Sequence, residues 1–227
     1  MRFLSIVLIA LGLATAVPAA ETGPTITVTG RGEVAAAPDM ATITLGVTSQ
    51  ARTAGVAMDE ASVATAAILK TLEGAGIAPR DMQTSELSLD PVWSNRAATN
   101  GEAPRIEGFV ARNTLRVRVR DLDRLGGVLD DVLEVGANTF RGLSFGLQEP
   151  GPLTDQARTA AVADAQRKAA LIAGAAGVTL GPVLSISESG GVSPQPVMME
   201  AARAAVPVAA GEVSLSATVT MVFALGE

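Results

Sequence analysis

Residues 213–225 read VSLSATVTMVFAL, an almost unbroken alternation of apolar and small polar side chains. Val213, Leu215, Ala217, Val219, Met221 and Phe223 share one parity, and Ser214, Ser216, Thr218 and Thr220 the other. A period of two is the period of a β-strand. One apolar and one polar face imply an antiparallel sheet covered on a single side. Met40 to Ala51 repeats the pattern, with Ile43, Leu45 and Val47 opposed by Thr42, Thr44, Thr48 and Gln50.

Further strands are expected at Thr25–Thr29, with Gly30-Arg31-Gly32 ending or bending it, and at Gln83–Trp93, where Leu87 and Leu89 share a face. Others are expected at Ile106–Arg120, Phe140–Gln148 and Val183–Glu188. Helical spacing runs from Thr53 to Glu73, with Val56, Val63, Ala67 and Ile68 or Leu69 as inward candidates. Asp121 to Val135 is a second helix, capped by Asp121 or Asp123 and closed by Gly136. Leu153 to Ala176 is a third, long and Ala-rich, ended by Gly177. Ser94 to Pro104 reads as a hairpin loop, and 190–211 as a flexible insertion without a stable period.

The order is roughly ββαββαβαββ. The fold class is α+β, with antiparallel sheet and helices packed on one face. Residues 21–227 form a single domain, with two joined lobes as a variant of the same reading.

The first twenty residues set the compartment. Met1-Arg2 is a short positive start, Phe3 to Ala16 is apolar, and Val17-Pro18-Ala19-Ala20 supplies small residues before Glu21. This is the architecture of a secretory signal peptide cleaved near Ala19 or Ala20. An uncleaved anchor is the rival, but the apolar run falls short of the ~20 residues of a comfortable span. The expected location is a bacterial periplasm, with no stable membrane insertion after cleavage.

Several chemistries are excluded by composition. The chain has no Cys and no His. Disulfides, thiol redox chemistry and the usual zinc and copper ligand sets cannot be built within it. No Asp-rich loop carries calcium-binding spacing, and no cofactor is expected. The net charge of −6, one unit more negative without Arg2, argues against nucleic acid as a partner.

Five motifs invite a functional reading. Gly142-Leu143-Ser144-Phe145-Gly146 fits the nucleophile-elbow pattern. Without a His no triad can form, a Ser-Lys dyad through Lys70 or Lys168 has no supporting motif, and the match lies inside a strand. Gly30-Arg31-Gly32 resembles a phosphate loop, but no helix N-terminus follows, so a close crossing of backbones is the plainer account. Arg112, Arg116, Arg118 and Arg120 share a parity opposite Leu115, Val117 and Val119, and so line one strand face. That face is either an anion-binding or subunit-contact surface or a solvated one. The Ala-rich helix packs closely on the sheet, or additionally on another subunit. Met198-Met199 is either a soft contact or plain linker.

An ordered set of residues resembles the SIMPL-domain family of exported bacterial proteins. The set comprises Val28, Gly30, Gly32 and Pro38-Asp39; Gly108-Phe109; Gly136-Ala137-Asn138, Gly142 and Phe145; Ala157, Ala161, Asp164-Ala165, Lys168-Ala169 and Ala173; and Gly177, Leu180 and Gly181. The family includes periplasmic immunogenic and oxidative-stress-defence proteins. The resemblance implies no catalytic residues. It implies ring-like or channel-like oligomers and a stress-related role. The expectation is a non-enzymatic, self-associating periplasmic protein. The alternatives are a module that binds a small anion or envelope component through the Arg face, and a hydrolase at Ser144.

Overall fold

The computed structural model describes residues 23–94, 103–189, 195–197 and 209–227. The strands are β1 (Thr25–Ala36), β2 (Met40–Ala51), β3 (Met82–Trp93), β4 (Ile106–Val119), β5 (Thr139–Gly146), β6 (Thr179–Glu188), β7 (Gln195–Val197) and β8 (Glu212–Gly226). The helices are α1 (Ala54–Gly74), α2 (Leu125–Glu134) and α3 (Gly151–Ala176). All strand pairings are antiparallel. The α+β class and the order of elements are as the sequence implies, with β7 as an addition. Three residues of the supposed insertion therefore form a strand, paired with Glu212–Ser214; Met198-Met199 lies outside the described residues.

Two helix-on-sheet layers make up the chain. In the first lobe the strand order is β1-β8-β6, with β7 also on β8, and α3 packs on the sheet. In the second the order is β3-β4-β2-β5, with α1 and α2 on one face. The two apolar cores are separate clusters. The chain crosses between lobes at 37–39 and 147–150. Gln148 ties these crossings together: its backbone N–H donates to Asp39 Oδ1 at 2.7 Å and its side-chain amide to the Asp39 carbonyl at 2.9 Å.

Two sequence expectations are corrected. β1 does not end at Thr29 but runs through Gly30 and Gly32 to Ala36. Both glycines lie beneath α3, and a Cβ on either would be driven into the carbonyl of Ala161 or Ala157. The missing side chains admit a helix rather than a turn.

The inward face of α1 is Ala57, Ala61, Thr65, Ile68 and Leu72, whereas Val56 and Val63 are 49% and 72% exposed. Small residues at i+4 spacing let the helix lie low on β2 and β4 and leave the valines outside. Thr65 is tolerated there because its hydroxyl donates to the Ala61 carbonyl at 2.7 Å. Leu87 and Leu89 share a face but are exposed, because α1 centres on β2 and β4 and leaves the outer part of β3 uncovered.

Candidate functional site

Of the four arginines singled out by parity, Arg112, Arg116 and Arg118 lie on one side of β4, opposite the buried Leu115, Val117 and Val119, and Arg120 follows directly after the strand ends. Register places Arg118 beside Thr42, Arg116 beside Thr44 and Gln83, and Arg112 beside Thr48 and Ser88. Among the described residues no helix covers this face of the second sheet.

The arginines do not form one set. Arg112 donates to Asp90 at 2.6 Å. Arg120 grips Asp81 with two bonds of 2.7 and 2.8 Å, and its third nitrogen reaches the Gln148 side-chain carbonyl at 3.2 Å. Between them, β5 bulges between its pairings with Thr44 and Leu45. The extra residue, Arg141, is carried over the face to Glu86 on β3, at 3.0 Å. This bridge spans two intervening strands above Gly46 and Thr114, and Thr114 is buried beneath it. Among the described residues, Arg116 and Arg118 have no carboxylate within ion-pair distance.

Asp81 anchors the lower end of this face. It ends a 3-10 turn, Pro79–Asp81, and its side chain is only 3% exposed. The hydrogen bonds from Arg120 hold its carboxyl below the usual Asp range, aided by the charges of Arg120, Arg80 and Arg118, while burial opposes them. The same turn brings Arg80 to the strand face. A cavity of about 270 Å³ opens there, lined by Arg80, Asp81, Gln83, Arg116 and Arg118 among others. A neighbouring cavity of about 170 Å³ shares Arg80 and Arg118 and adds Arg120 and Arg124. Sequence reasoning missed Arg80, Asp81, Arg124 and Arg141. Their only sequence signals were a Pro-led turn and single charges within an expected helix and an expected strand, and neither reports which strand lies opposite.

Other candidates separate from any chemistry. Ser144 sits mid-strand, directly opposite Thr42, without the strand-to-helix turn of a nucleophile elbow. Gly30-Arg31-Gly32 is a crossing point rather than an anion loop. There the backbone N–H of Arg31 donates to Asp164 Oδ2 at 3.0 Å, and Lys168 Nζ donates to the Thr29 carbonyl at 3.0 Å. These contacts occupy the outer edge of β1. The outer edge of β6 has no strand partner among the described residues, and Val183, Leu184 and Ile186 along it are exposed. Among the described residues no helix is long and apolar enough to cross a membrane.

Most residues of the ordered motif set now have a structural task. Asn138 substitutes for a strand pairing: its side-chain oxygen accepts from the Thr48 N–H at 2.7 Å and its amide donates to the Thr48 carbonyl at 2.8 Å. Asp39 fastens the crossing between lobes, and Gly177 closes α3 at a φ of 71°. For Gly142 the structure offers no account. Residues 26–223 match the SIMPL family, described as a protein of unknown function (DUF541).

The chain belongs to the SIMPL family. It is 37% identical over 211 residues to the 26 kDa periplasmic immunogenic protein of Brucella melitensis biotype 1, covering 87% of this chain and 83% of that protein. It is 32% identical over 217 residues to the uncharacterized protein YggE of Escherichia coli K12, covering 93% and 87%. With YggE of Edwardsiella ictaluri the identity is 34% over 177 residues, covering 77% and 73%.

Proposed function

We propose that this SIMPL protein is an exported, non-enzymatic periplasmic protein that self-assembles and serves envelope or oxidative-stress protection. Export is supported by the leader at residues 1–20 and by a relative named as periplasmic. The observation that carries self-assembly is the contrast between the two edges of the first sheet. β1 is blocked by Asp164 and Lys168, whereas β6 has no partner on its outer edge among the described residues and bears Val183, Leu184 and Ile186 at 41%, 57% and 58% exposure. An open apolar edge is the common template for pairing with another chain. The stress role rests on the resemblance alone.

Light scattering on the mature protein tests the assembly. A mass that is a multiple of the chain mass is expected, falling to the monomer in the Leu184→Glu/Ile186→Glu double variant. A monomeric wild type at high micromolar concentration ends the idea. A deletion strain should be more sensitive to peroxide and be rescued by wild type and by Ser144→Ala; failure of Ser144→Ala to rescue would point to catalysis instead.

A second reading has its own observation. Among the described residues Arg116 and Arg118 are left without carboxylates, while Arg112 on the same strand and Arg120 just beyond it are paired. This favours a small anionic ligand on the Arg face. If the arginines instead contact another subunit, Arg116→Glu/Arg118→Glu should lower the assembled mass.

A further inference from the structure

The geometry points to a specific ligand class for the Arg face: a dianionic phosphate, free or as a monoester, held in the cavity between the Pro79–Asp81 turn and β4. This rests on the anion-binding reading above and adds both the ligand's chemistry and the residues outside the strand.

The charge count inside the cavity comes first. Asp81 is the only carboxylate in its lining. Both its oxygens are taken by Arg120, and Arg80 Nε stands 3.9 Å away. The single charge of Asp81 cannot balance Arg120, Arg80, Arg116 and Arg118 together, so positive charge remains in excess around about 270 Å³. The chain carries 23 acidic residues against 17 basic ones, so carboxylates are plentiful elsewhere. Like charges gathered in a concavity repel, and the repulsion is relieved when a ligand brings the countercharge.

The number of donors selects among anions. A guanidinium presents a planar fork that fits two oxygens of a carboxylate or phosphate. One fork satisfies a carboxylate. Three forks suit a tetrahedral group with three terminal oxygens and nearly two charges. Arg116 and Arg118 are two residues apart on one strand face, ~6.6 Å along the strand. Arg80 approaches from the turn. Gln83, paired in register with Arg116, adds an amide donor. The cavity floor is held by the Asp81–Arg120 bonds and by the Arg120 contact to Gln148, while Arg80, Arg116 and Arg118 stand exposed around it, open to a ligand.

Calorimetric titration of the mature protein at low ionic strength, with inorganic phosphate and glycerol 3-phosphate against sulfate and acetate, is the test. Phosphate should bind more tightly at pH 7.5 than at pH 5.5, as it gains its second charge, while sulfate should show no such change. Arginine keeps its charge across this range, and the chain has no His to mimic the effect. Arg116→Gln/Arg118→Gln should weaken phosphate binding by about tenfold or more, the scale of lost charge-assisted hydrogen bonds. Arg112→Gln, whose side chain is committed to Asp90, should leave it unchanged. Vesicles containing phosphatidic acid, compared with phosphatidylcholine alone, separate the two sources: binding that the double variant loses assigns a lipid headgroup, and binding to soluble phosphates only assigns a free ligand. Equal affinity for sulfate and phosphate at both pH values overturns the ligand class but leaves the anion reading standing. No anion binding, or binding untouched by the double variant, overturns both.

Discussion

The two lobes solve the same problem with opposite materials. Each lays helix on one face of an antiparallel sheet. The second lobe fills the interlayer space with Ile43, Leu45, Ile68, Leu72, Leu115, Val128 and Val132, all almost completely buried. The first puts a row of alanines at i+4 spacing, Ala157, Ala161, Ala165, Ala169 and Ala173, over Gly30 and Gly32. Burying an alanine methyl contributes on the order of 0.8 kcal/mol, against roughly 1.5–3 for a Leu or Ile side chain. The first lobe therefore relies on close backbone approach, and on Asp164 and Lys168 bonding β1 directly. A core of large side chains can yield a little when altered. A helix seated on a strand backbone has nothing soft to move.

The sharpest way to break this contrast is to add volume. Gly30→Val or Gly32→Val should destabilise the first lobe by about 3 kcal/mol or more, at the upper end of overpacking costs, because the clash is with main-chain atoms. Gly142→Ala in the second lobe, with open space around it, should stay within about 0.5 kcal/mol. Urea unfolding read separately in each lobe checks both. A wild-type midpoint for Gly30→Val would show that the helix does not seat there.

Removing volume should reverse the ranking. Leu72→Ala should cost about 2–5 kcal/mol, the usual range for a buried Leu. Ala161→Gly should cost only ~1 kcal/mol, mostly the helix propensity of glycine. Similar losses from the two changes would mean that the lobes are packed alike after all.

Sequence alone revealed the pattern that follows local periodicity. The faces of β2, β4 and β8 were readable because period two is a property of each strand by itself, and the Arg parity on β4 was readable for the same reason. What failed depends on partners distant in sequence. Gly30 and Gly32 look like chain breakers until Ala157 and Ala161, more than a hundred residues later, are placed above them. Val56 and Val63 look inward until the narrow approach of α1 selects alanines instead. Arg80 joins Arg116 and Arg118 only because the turn after α1 ends beside β4. The candidate site was thus half legible: its strand arginines were readable, but the cavity that gives them a shape was not.

Acid should separate the lobes through their two carboxylate anchors. Asp81 is held below its ordinary range by Arg120. A depressed carboxyl contributes stability that is fully present above the unfolded value of about 4 and lost as pH falls through the folded value. Asp81→Ala should cost roughly 1–2 kcal/mol at pH 7, discounted because Arg120 remains 40% exposed and can rehydrate. As pH falls through the lowered folded value the variant and wild type should converge. A gap that stays constant across the range would assign the loss to packing rather than to charge.

The smallest effect tests the most specific feature of the first lobe. Asp164 is held well below the ordinary Asp range, first by Lys168, then by the Arg31 backbone N–H and by Arg167. Its stabilising contribution has the same sign as that of Asp81: present at neutral pH and lost in acid. Its partners Arg167 and Lys168 lie at the surface and can rehydrate, so its removal should hardly move the global unfolding midpoint. The local consequence is different. Arg31 N–H faces the outer edge of β1, away from the ladder with β8, and Asp164 is its acceptor. Asp164→Ala should therefore speed hydrogen exchange at Arg31 while amides inside the β1–β8 ladder keep their protection. It should also free the β1 edge for pairing, so association mediated by that edge should rise. Unchanged exchange at Arg31 would mean that the edge is shielded by α3 as a whole. The blocked and open edges of the first sheet would then differ by coverage alone, not by the Asp164 and Lys168 clamp.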